Sequence, residues 1–215
     1  KGFLSGMANG FNKYFGIVTA GIATITGLAF SLKNALSYNA ELSDSMADVA
    51  KSTGMSMTEV KTLNQELRKI DTRTTRKELL DLAYVAGKLG YTTEHEVMGF
   101  VKAADQIGVS LSKDLGGNVE DAVNSLGKLV DIFGIKGEYG IEDALLKTGS
   151  AINALGAAST ANESYIVDFT RRLGGIAPQA GISIENIMGI AATLDQLGQT
   201  SEVSSTAVSQ LLTKK

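Results

Sequence analysis

The side chains able to do chemistry are few and scattered. His95, the one histidine, stands between Glu94 and Glu96 at a predicted helix start. An imidazole beside carboxylates can serve as a base or a metal ligand. A lone histidine cannot build the paired-histidine zinc sites that spacing reveals, so His95 reads as a solvated surface residue. Glu41, Asp44 and Asp48 recur at steps of three and four, on one helix face. Such a row could bind a cation, but like charges so spaced more often form a solvated stripe. Arg68, Lys69, Arg73, Arg76 and Lys77 crowd around a loop at Asp71 to Thr75, in position to touch phosphate or an acidic partner, or simply to form a solvated corner.

Other reaction chemistries lack their residues. Leu115-Gly116-Gly117-Asn118 precedes a helix, but no Lys-Ser/Thr follows the glycines as a phosphate loop requires. There is no Gly-x-Ser-x-Gly elbow, and no cysteine to act as thiolate, disulfide or metal ligand. A net charge of −3 carries no broad basic footprint, which argues against sequence-specific nucleic acid as a partner. No enzyme, cofactor or metal site is expected.

What the sequence does specify is helices. Ser56-Met-Thr-Glu59, Thr75-Arg-Lys-Glu78, Thr93-Glu-His-Glu96 and Thr160-Ala-Asn-Glu163 each place a hydroxyl three residues before a Glu, the pattern of a reciprocal helix cap. Asn118 and Ser183 are further N-caps, and Gly90, Gly108, Gly134, Gly156, Gly174 and Gly198 are stops. Helices are predicted near 57–70, 76–89, 94–107, 119–133, 141–156, 161–174, 184–197 and 202–213. Within them apolar residues keep a helical period, as in Leu79, Leu82, Ala83, Ala86 and Leu89. The expected class is all-α: a long N-terminal helix over residues 1–54, with a flexible lead, then a compact irregular multi-helix domain over 55–215.

The first of these segments contains Tyr14 to Leu32, nineteen residues without a charge between Lys13 and Lys33. As a helix they extend about 28 Å, close to the hydrocarbon thickness of a bilayer. Phe15, Ile17, Val18, Ile22, Ile25, Leu28, Phe30 and Leu32 form a candidate membrane segment worth about −2 to −5 kcal/mol before the Gly and Thr between them subtract. The same run carries a heptad seam. Val18, Ile22, Ile25, Ala29, Leu32, Leu36, Asn39, Ser43, Met46 and Ala50 alternate steps of four and three, with Asn39 as a polar register-setting position. Association, membrane entry and an ordinary core helix all remain open on this pattern.

The order of the pieces resembles the core region of phage tail tape measure proteins. The resemblance is carried by Ala47 to Val60, Glu78 to Gly90, Val97 to Ala104, Leu129 to Gly134, Ile152 to Gly156, Phe169 to Ala177, Ala180 to Ser183 and Ser205 to Ala207. It covers roughly residues 38 to 212. Ser205 departs from the family's Gly-Thr-Ala pattern. The resemblance implies a non-enzymatic structural protein, housed in the virion tail tube lumen or tip, that sets tube length during assembly in the host cytoplasm and leaves at infection. It also implies a homo-oligomer, a trimer by analogy with threefold hubs, with tail tube and tail-tip or hub proteins as partners and a host membrane as a further one during delivery. Finally, it implies that this chain, opening at Lys1, is a fragment of a longer protein.

Overall fold

The computed structural model describes residues 37–115 and 117–214. The chain divides into two compact units, Lys1–Asp44 and Ser45–Lys215. Of the first, only residues 37–44 are described, and they are helical. Helix continues through residue 53, and residues 37–53 are called α1.

Beyond α1 come α2 (Met57–Leu67), α3 (Arg76–Lys88), α4 (Glu94–Leu111), α5 (Val119–Ile132), α6 (Lys136–Tyr139), α7 (Ile141–Ala158), α8 (Glu163–Leu173), α9 (Ile184–Gln196) and α10 (Ser201–Thr213). The fold is all-α, and no strand occurs among the described residues.

Local chemistry explains where the helices begin. At Ser56 and Thr75 both halves of the reciprocal cap form: Ser56 N donates to Glu59 Oε2 at 2.7 Å, and Thr75 N to Glu78 Oε2 at 2.7 Å. Thr93 caps Glu96 N at 3.3 Å, but the Glu96 carboxylate takes the Thr93 hydroxyl rather than its amide. The fourth expected box does not form. Ser159 Oγ donates to Leu155 O and accepts from Ala161 N, turning the chain so that Asn162 caps α8 through Ser164 N at 2.9 Å.

Two expected stops lie inside helices instead. Gly108 belongs to α4 and Gly156 to α7. A side chain on Gly108 would meet Val119 Cγ1 at 2.7 Å, so its missing Cβ serves packing against the start of α5 rather than termination. α6, a single turn without a side-chain cap, was not expected from the sequence because four residues show no period.

The core of the Ser45–Lys215 unit forms around α4, which lies against α2, α3, α5 and α7. Val97, Phe100, Val101, Ala103, Ala104, Ile107 and Leu111 are all buried along it. A second group, α8 with α9 and α10, joins the first through α7 and α5. Burial of Ile166, Phe169 and Leu173 on α8 and of Ile184, Ile187 and Met188 on α9 holds that group.

Residues 45–53 are seated on α3 at a glycine. A Cβ at Gly87 would stand 2.7 Å from the carbonyl carbon of Ser52, and backbone cannot move aside as a side-chain tip can. Gly87→Ala is therefore expected to destabilise the protein by about 2 kcal/mol through overpacking, read as a lower urea midpoint. Adding Ser52→Ala should leave the loss in place, since the backbone collision remains.

Candidate functional site

His95 lies exposed in the first turn of α4, on the wall of an open groove of about 800 Å³. Glu66, Lys69, Asp71, Glu94, Lys102 and Asp105 are among the residues that line it with His95. Three of its polar side chains are engaged with partners. Lys69 pairs with Glu66 at 2.6 Å. Asp105, half-buried, accepts the Thr72 hydroxyl at 2.7 Å and the Thr74 hydroxyl as well, so it anchors the 71–75 corner rather than standing free as a base.

Glu96 is drawn away from His95. Lys136 Nζ lies 2.5 Å from its Oε1, and that bond, with the bonds from Thr93, holds its carboxyl below the usual range. The Glu94-His95-Glu96 triplet thus splits between two environments. Among the described residues no group of three or more His, Asp or Glu side chains could hold a metal ion.

The other charged features resolve into helix surface and fasteners. Glu41, Asp44 and Asp48 are exposed on α1. In the basic cluster, Lys77 pairs with Asp81 at 2.9 Å, and Arg76 Nε donates to Asn64 Oδ1 at 2.9 Å. Buried Asn64 in turn donates to Met46 Sδ at 3.3 Å, linking residues 45–53, α2 and α3. Arg68 and Arg73 remain exposed.

Two further clusters lay beyond sequence reasoning, because their partners are some 30 to 40 residues apart. Buried Tyr91 donates to Asp131 Oδ1 at 2.9 Å, with Lys136 Nζ 4.5 Å from the centre of its ring. Burial first, and then the Asp131 bond, push the Tyr91 hydroxyl well above its ordinary pKa.

On α8, Asp168 accepts from Arg171 at 2.7 Å, Arg172 at 2.7 Å and Ser201 of α10 at 2.7 Å. Burial raises its pKa, but the bonds from Arg172, Ser201 and Arg171 outweigh that and hold it down to about 2.

Of the heptad seam, Asn39 is exposed and Met46 half-buried, as are Ser43 and Ala50 respectively. Val18, Ile22, Ile25, Ala29, Leu32 and Leu36 lie outside the described residues. So do Phe15, Ile17, Leu28 and Phe30 of the candidate membrane segment. Among the described residues no helix is long and apolar enough to cross a membrane.

Aliphatic side chains stand out at the opposite end of the sequence: Leu197 is 67% exposed, Val203 60% and Leu211 75%.

The model of the phage-related minor tail protein family matches residues 58–215, well over half of the 215-residue chain. The chain belongs to that family. It is a phage tail protein, associated with the virion and with other tail proteins. The match begins inside α2 and takes in every later helix, so the packed helices around α4 and α8 are the family's region. No curated protein and no solved structure matches the chain significantly.

The tail protein's Asp168 gives a pH signature with a defined sign. Its folded pKa is depressed, so its contribution is present above the ordinary value of 3.8 and disappears as pH falls toward about 2. Asp168→Asn should therefore lower the thermal midpoint at neutral pH, and the gap to the parent chain should close across that window. The check is a set of thermal melts of both chains between neutral and strongly acid pH.

Proposed function

We propose that this tail protein is a segment of a tape measure protein, setting tail tube length during assembly and occupying the tube lumen or tip until genome delivery. The observation carrying this reading is the heptad register. It runs from Val18 to Ala50, its residues from 37 onward lie in the helix α1, and α1 leads into the family-matched helices. A helix with a constant rise of about 1.5 Å per residue converts chain length into physical length, which is what a ruler needs. The polar contacts of the Ser45–Lys215 unit support the same reading, since Asp105, Asp131 and Asp168 each hold helices or loops in place.

An in-frame deletion of about forty residues from a helical part of the full-length protein should shorten the tail by about 60 Å in electron micrographs of assembled particles. Tails of unchanged length would overturn the ruler.

Copies associate through the seam in this proposal, as a trimer by analogy with threefold tail hubs. Exposed Asn39 is the polar position that sets register. Light scattering of the 215-residue chain is expected to give a concentration-dependent oligomer. Asn39→Leu should raise the oligomer's thermal midpoint while broadening its size distribution. Strict monomers at high concentration, for both chains, would remove the seam.

A further inference from the structure

α10 is built inside out. It buries Ser204 and Ser205 and no aliphatic side chain, while Val203 and Leu211 face solvent and Val208 and Leu212 are half-buried. α8 and α9, beside it, each bury several large apolar side chains. The side-chain hydrogen bonds that join α10 to α8 all come from its first turn. Tyr165, Asp168 and Arg172 share one face of α8 at steps of three and four. Tyr165 donates to Ser204 Oγ at 2.8 Å, Asp168 accepts from Ser201 Oγ at 2.7 Å, and Arg172 Nη2 donates to Glu202 Oε1 at 2.9 Å.

We propose that α10 is a detachable arm. A latch of one ion pair and two hydroxyl contacts, with no fully buried aliphatic side chain beside it, holds it on α8, and it leaves as an intact helix while α8 and α9 stay folded.

The backbone on either side of the joint supports separation. α9 closes on its own carbonyls, with Gly198 N donating to Asp195 O at 2.8 Å and Gln199 N to Leu194 O at 3.2 Å, Gly198 taking φ 73°. α10 opens on its own cap, the Thr200 hydroxyl accepting from Val203 N at 3.4 Å. Neither helix end borrows a partner from the other, so detachment strands no helix terminus. The contacts that are lost are of the kind water and salt replace most easily, whereas a buried leucine has no such substitute. Detachment uncovers Tyr165, stacked on Phe169 at 6.2 Å, and frees Val208 and Leu212 to join Val203 and Leu211 as one aliphatic helix. The latch thus controls when Tyr165, Val208 and Leu212 become available beside the side chains already exposed.

Hydrogen exchange with mass spectrometry on the 215-residue chain tests this. Amides of residues 204–212 are expected to exchange at least about tenfold faster than those of Ile166–Leu173. Raising NaCl to about 1 M should speed α10 further, and leave α8 and α9 unchanged, by screening the Arg172–Glu202 and Asp168 contacts. Asp168→Asn and Tyr165→Phe should each reproduce the salt effect, while Glu66→Gln, which breaks a distant surface pair, should not. Protection of α10 equal to that of α8, or exchange of α8, α9 and α10 as one unit at every salt concentration, overturns the proposal. Should Asp168→Asn loosen the whole domain, the salt series on the unaltered chain decides alone.

Discussion

Close approach of other helices to α4 is the constraint on which the domain rests. A helix packed by four others needs small residues where neighbours come nearest, since interaxial distance is set by the side chains at the contact. α4 supplies Gly99, Ala103, Ala104 and Gly108 for this, interleaved with Val97, Phe100, Val101, Ile107 and Leu111 as filling. Gly99 would meet Ile141 of α7 at 3.3 Å if it carried a Cβ, and Gly149 of α7 would likewise meet Ile107 at 3.2 Å. The α4–α7 contact is therefore narrow from both sides. A domain so assembled resists changes of volume, because its interior has no slack to absorb an added methyl.

Around that apolar centre, polar groups work at the joints. Asp105 holds the 71–75 corner, Asp131 takes the Tyr91 hydroxyl, Asn64 bridges Arg76 and Met46, and Asp195 accepts Asn162 N at the entry to α8. Each lies where one helix passes to the next or where two helices sit side by side. Every buried side-chain nitrogen or oxygen among the described residues has a partner. That matters in a low-dielectric interior, where an unpaired group costs about 1–3 kcal/mol. Carboxylates used in this way have little left for proton transfer, and Asp105, on the wall of the groove that holds His95 and Glu94, is committed to the Thr72 and Thr74 hydroxyls.

Helix positions were legible because they are local. A hydroxyl and a Glu three residues apart, followed by a 3.6-residue apolar period, specify a start and a face without reference to the rest of the chain, and α2, α3, α5 and α9 lie within a few residues of expectation. The failures were equally local in form and tertiary in cause. Gly108 and Gly156 look like stops, but Val119 and the Glu163 side chain pack against them, so the helix continues. Thr160 looks like a cap until the Ser159 turn and the Asn162–Asp195 bond move the start of α8. The fasteners could not be read at all. Tyr91 and Asp131, or Asp168 and Ser201, become neighbours only after the helices pack. Asp105, Asp131 and Asp168 look in the sequence like any surface acid on an amphipathic helix.

The same reasoning separates α10 from its neighbours. An apolar face normally identifies the side of a helix that is buried, and applied to Val203, Ala207 and Leu211 it selects the side that the structure leaves in water. The inversion is enforced by α8, whose facing row of Tyr165, Asp168 and Arg172 offers hydroxyl, carboxylate and guanidinium and so recruits Ser201, Glu202 and Ser204. A leucine turned toward that row would forgo the bonds to Tyr165, Asp168 and Arg172 and set an aliphatic side chain against half-exposed polar groups. α10 therefore turns Ser201, Glu202 and Ser204 toward α8 and leaves Val203 and Leu211 outward, and the two conditions are one: the polar row on α8 that attaches the helix is also what leaves those aliphatic side chains uncovered.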